Sequence, residues 1–86
     1  MNIIYAGNRS FALECILNSK INNLFIYALK KSFLMDYANK NNLKYETFSN
    51  KNELYKLLKT IDKPSLFISC GVPFLIDINN FPKISF

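Results

Sequence analysis

The chain has 86 residues, half of them hydrophobic, and a formal net charge of +5. That length allows one domain, the hydrophobic share excludes a disordered tail, and no apolar run reaches the roughly 20 residues of a bilayer span. The sequence holds no histidine, which excludes a His general base, a nucleophile–His pair and His metal ligation within it.

The start, Met1 to Gly7, lacks the basic opening and long apolar stretch of a signal peptide, so a cytoplasmic location is expected. Asn2–Ala6 is a short apolar run and predicts a buried strand. Ser10–Ser19 predicts a helix with Phe11, Ala12, Cys15 and Ile16 on one face, capped by Asn8 or Ser10. Leu24–Leu29 predicts a second buried strand, and Ser32–Asn41 a helix with Leu34, Met35 and Ala38 at helical spacing. Lys44–Phe48 is a more polar stretch and predicts a strand at a sheet edge. Asn50 followed by Glu53 resembles a capping box, and Leu54, Leu57, Leu58 and Ile61 then fall on one helical face until Pro64. Ser65–Cys70 predicts a fourth strand, the segment to Pro82 a loop, and Lys83–Phe86 the beginning of a fifth strand.

Strands alternating with helices, and apolar through their length, predict an α/β fold: a Rossmann-like, doubly wound, mainly parallel sheet. The expected spatial order is 3-2-1-4, in a single unit over residues 1–86 that is incomplete before or within strand 5. The third helix is expected to cover one sheet face alone, with the other two opposite. The fourth strand is expected to be left as an open edge.

The lysines are scattered and Arg9 is the one arginine, so the positive charge predicts a solvated surface rather than a nucleic-acid interface. Cys15 and Cys70 match no metal or redox spacing and read as reduced packing residues. Glu14, Asp36, Glu46, Glu53 and Asp62 read as surface carboxylates, while Asp77 lies where it could line a crevice.

In such a sheet, ligands bind at the carboxyl ends of strands 1 and 4, where the winding reverses. The chain has two glycines, Gly7 after strand 1 and Gly71 after strand 4, and both fall at that crevice. The turn Gly7-Asn8-Arg9-Ser10-Phe11-Ala12 carries neither the dinucleotide fingerprint nor the P-loop. Arg9 stands at the helix entrance, where it meets either an anion or solvent.

The opening, Ile3 to Ala12, with its apolar strand, glycine turn and Phe-Ala pair, resembles the start of methionyl-tRNA formyltransferases and their sugar-amine relatives. The stretch from Leu66 to Ile76 resembles that family's fourth strand and glycine-led loop, and Asn79 to Phe86 its approach to the catalytic strand. The resemblance covers the whole chain. It implies a cofactor, 10-formyltetrahydrofolate, whose pterin end meets the loop after strand 4. By position this implicates Gly71, Val72, Pro73, Phe74 and Leu75; their apolar side chains suit a flat ring, and Pro73 has no N–H to donate.

The family transfers a formyl group to an amine, with an Asn-x-His strand motif, a Leu-Leu-Pro segment and a later Asp. A His and an Asn polarise the carbonyl oxygen as it gains charge, and an Asp manages the proton. None of these maps onto this chain; the Asn-x-His motif would follow Phe86. The resemblance therefore implies the first part of a formyltransferase catalytic domain, inactive alone, with tRNA, sugar and nucleotide-precursor acceptors all open. Other readings are a non-enzymatic α/β module binding a protein partner through its open edge, and an enzyme completed by a separately encoded second half. A basic RNA-binding module is the weakest.

Overall fold

The computed structural model describes residues 2–18, 23–61, 66–73 and 82–85. Among them the elements are β1 (Asn2–Gly7), α1 (Phe11–Leu17), β2 (Asn23–Leu29), α2 (Phe33–Lys40), β3 (Glu46–Phe48), α3 (Lys51–Leu58), β4 (Leu66–Cys70) and β5 (Lys83–Ser85). The strands form one Rossmann-like sheet in the order β3-β2-β1-β4-β5, with every neighbouring pair parallel. β1 lies at the centre and is buried from Ile3 to Gly7, as a strand covered on both faces must be.

Alternate side chains of the strands feed two cores. Ile3, Tyr5, Ile26, Ala28, Ile68 and Cys70 pack beneath α1 and α2, through Ala12, Leu13 and Leu34. Ile4, Ala6, Tyr27 and Phe67 pack on the opposite face beneath α3, through Leu54 and Leu58. The expected split, two helices on one face and one on the other, is therefore present, and it follows from right-handed crossovers that reverse direction after β3.

Helix ends show how local chemistry sets the boundaries. α2 starts at Ser32, whose Oγ accepts from Met35 N–H at 3.1 Å. It ends with Asn42 in the left-handed region (φ 55°), where Leu43 N–H donates to Ala38 O at 2.8 Å and Asn42 N–H to Asn39 O at 3.3 Å. That pair of bonds is a Schellman closure. α3 starts at Asn50, whose Oδ1 accepts from Glu53 N–H at 2.9 Å. Glu53 reaches back to Ser49 N–H at 2.7 Å, one residue earlier than a capping box places it.

Several expectations need correction. α1 is shorter than Ser10–Ser19 within the described residues, its buried stripe runs through Ala12 and Leu13, and Phe11 is 57% exposed. Ser10 occupies the N-cap position without a side-chain hydrogen bond. Cys15 is exposed, while Cys70 is buried as a packing residue. β4 is not left as an open edge: β5 pairs with it from Phe67 to Ser69, and the Ser69 and Ser85 hydroxyls meet at 3.0 Å. β3 is also shorter than Lys44–Phe48, beginning at Glu46.

Candidate functional site

The winding reverses between β1 and β4, and the crevice at their carboxyl ends is built from the two glycine turns. Register places Gly7 beside Cys70. Gly7 has φ 140°, and a side-chain carbon on it would strike the backbone carbonyl of Cys70. Gly71 has φ 76°, and a side-chain carbon there would lie 3.1 Å from Arg9 Cγ and 3.2 Å from Asn8 Cβ. Gly7 is thus required by close approach to the other turn as well as by its own backbone, while Gly71 is required by its backbone conformation.

Hydrogen bonds fix the two turns together. The Cys70 carbonyl accepts from Asn8 N–H at 2.9 Å and from Arg9 N–H at 3.2 Å. Asn8 also ties this turn to α2: its carbonyl accepts from Leu34 N–H at 2.9 Å and its Oδ1 from Phe33 N–H at 3.4 Å. With Ser32 serving Met35, the first three N–H groups of α2 are occupied, so that helix end has no donor left for an anion. The role of Asn8 is thus to clamp α2 rather than to cap α1. No periodicity signals this, because the two partners are 25 positions apart.

Beneath the turn lies Tyr5, fully buried, whose hydroxyl donates to Arg9 O at 2.6 Å. Burial raises its pKa well above the ordinary tyrosine value, and the neighbouring Cys70 thiol raises it further; the Ala12 and Leu13 N–H groups pull the other way. Tyr5 is therefore a neutral strut that holds the carbonyl of Arg9 and props the start of α1.

Of the residues implicated in a pterin site, Gly71 and Val72 are half-buried and Pro73 is exposed. Phe74 and Leu75 lie outside the described residues, as does Asp77. The described part offers backbone groups of Gly71 and Val72 and the side chains of Val72 and Pro73. The α-carbon of Gly71 itself is covered by Asn8 and Arg9. Arg9 is exposed at the rim. Phe33, beside Asn8, is 75% exposed, and nothing in the local sequence distinguishes it from the rest of its helix.

Two cavities lie elsewhere. One of about 250 Å³ runs between α1 and the outer strands, lined by Phe11, Ala12, Cys15, Ile16, Ile68 and Ile84. The other, of about 470 Å³, lies between the amino halves of β2 and the approach to β3, against the end of α3. No cluster of potential metal ligands occurs among the described residues. No helix among them is long and apolar enough to cross a membrane. No known protein family, curated protein or solved structure matches this chain.

Proposed function

We propose that the chain is the first part of a formyltransferase catalytic domain and carries one side of a 10-formyltetrahydrofolate site. The observation that supports this reading best is the meeting of Gly71 and the Gly7-Asn8-Arg9 turn at the point where the sheet reverses. Val72 and Pro73 would support the pterin, and backbone groups of Gly71 and Val72 would address its edge. The cofactor, when bound, supplies the formyl group. With no histidine in the sequence, the chain lacks the residue that resemblance assigns to polarising the formyl oxygen, so it binds without turning over. The partner expected for activity is a second half that brings the Asn-x-His motif and the Asp.

The test is a titration of the full chain with 10-formyltetrahydrofolate, read by backbone amide shifts. Saturable shifts centred on Gly71 and Val72 are expected, together with no formyl transfer to methionyl-tRNA or an amino sugar. Absence of binding, or shifts only at distant amides, would sink the folate reading. Turnover by the pure chain would sink the claim that it is inactive alone.

A second reading is favoured by β5. This three-residue strand is exposed throughout, with Ile84 43% exposed beside the apolar cavity. An edge of that kind accepts a further strand from a protein partner. Protection of the β5 amides from exchange on addition of a purified candidate partner, with no folate binding, would favour the module over the enzyme fragment.

A further inference from the structure

The 470 Å³ cavity is at the opposite end of the strands from the glycine turns, and an unfinished strand pairing creates it. β2 pairs with β1 from Asn23 to Ala28, but with β3 only from Tyr27 to Leu29. Lys30 N–H donates to Phe48 O at 3.0 Å, so the even-numbered residues of β2 turn their backbone groups toward β3. Had Ile26 N–H reached the carbonyl of Lys44, the ladder would run one residue further; it stops at Tyr27 and Glu46. The Leu24 carbonyl and the Ile26 N–H therefore face the gap side by side, with no strand partner among the described residues.

The gap is a wedge. Its inner end is closed where β2 and β3 join, and its walls come from both cores. Phe25, Leu57 and Ile61 belong to the cluster under α3, while Leu24 and Tyr45 belong to the cluster on the other face. A flat molecule entering in the plane of the sheet would thus be covered by apolar groups above and below, while its edge met an acceptor and a donor. Lys44 and Glu46, both exposed, carry opposite charges and leave the lining neutral. A blind wedge excludes a strand that must run through, and a neutral lining does not select a phosphate.

We infer that this wedge binds a neutral, flat nitrogen heterocycle with an exocyclic amine beside a ring nitrogen, as in adenine, through the Leu24 carbonyl and the Ile26 N–H. The amine donates to the carbonyl and the ring nitrogen accepts from the N–H, which replaces the two missing hydrogen bonds of the ladder. The volume is within the range of small-molecule sites. This inference does not depend on the folate reading, because the two sites share no residue and their amides report separately.

The probe is adenosine, titrated into the full isotope-labelled chain. Saturable shifts at Phe25, Ile26 and Tyr27 amides are expected, with Kd of about 1 mM or tighter. N6,N6-dimethyladenosine, which has no amine hydrogen, is expected to bind about tenfold more weakly. Thr60→Trp, which fills the cavity from an exposed position on its lining, is expected to abolish the shifts while leaving the Gly71 amide unmoved. No saturable shift, equal binding of the dimethyl analogue, tighter binding of a capped extended tripeptide, or shifts confined to Gly71 and Val72 would each overturn the inference. If Thr60→Trp fails to fold, the comparison of the two nucleosides on the unaltered chain decides.

Discussion

At Gly7 two independent penalties coincide. The backbone sits at φ 140°, and the place where a side chain would go is the Cys70 carbonyl, which already accepts two N–H groups. Gly7→Ala is expected to destabilise the fold by about 3 kcal/mol or more, measured as the midpoint of denaturant unfolding. Gly71→Ala meets side-chain carbons rather than backbone, and Arg9 can move aside. Its cost is expected to be smaller, about 1–2 kcal/mol from φ alone. Equal losses at the two glycines would contradict this account of the turn. Tyr5 makes a prediction about pH. Its folded pKa is raised above the ordinary value of 10.0, as is that of Tyr27, where burial is again the main cause. A raised folded value means that the stabilisation is complete below the unfolded pKa and is lost as pH rises through the folded one. Stability should therefore decline above about pH 10. Tyr5→Phe should lessen that decline while costing about 1 kcal/mol near neutrality, because the Arg9 carbonyl loses its partner. Unfolding curves taken in steps toward alkaline pH provide the check.

The elements that were legible in the sequence are those whose signals are local. Asn50 and Glu53 mark the start of α3, and Leu54 and Leu58 are its buried stripe, because capping and helical periodicity act within a turn or two. Asn50→Ala should cost about 1 kcal/mol in unfolding free energy. The Asn-rich exit of α2 resolves into a left-handed Asn42, and Asn42→Ala should cost about 1 kcal/mol while Asn42→Gly should not. A similar loss in both Asn42 variants would show that the side chain, not the backbone conformation, matters. What was not legible came from contacts between distant segments. Asn8 reads as a helix cap in its own neighbourhood, yet its side chain serves Phe33. Phe11 and Cys15 have helical spacing with Ala12 and Ile16, yet both are exposed, at the side of a cavity rather than in the core. Of the candidate site, the positions of both glycines followed from the strand–helix alternation. Their mutual contact did not, since only the register of β1 against β4 creates it.

For the molecule as a whole, the centre of the sheet is secured on both faces and its margins are thin. β3 and β5 have three residues each, and both lie at the outside of the sheet. Thin margins leave backbone groups that other chains can use. Ile84→Lys, a charge on the outer strand, should reduce self-association at high concentration, measured by light scattering, with little change in unfolding midpoint because Ile84 is 43% exposed. Association that persists unchanged would point to the β3 margin or to Phe33 instead.

The central position of β1 also governs how the chain can fold in time. Ile3 pairs with Leu24 on one side and with Leu66 on the other. The second of these pairings closes a loop that contains most of the protein, including all three helices described above. Folding of such non-local sheets is slow, since the entropy of closure is lost before the contact is gained. During synthesis the first strand must therefore wait, half-paired, until the fourth has left the ribosome. Ribosome-bound chains halted before Leu66 should remain sensitive to protease throughout β1 and β2, and those in which Cys70 has emerged should become resistant. Early resistance would mean that β1 and β2 are stable without the strand that locks their turn.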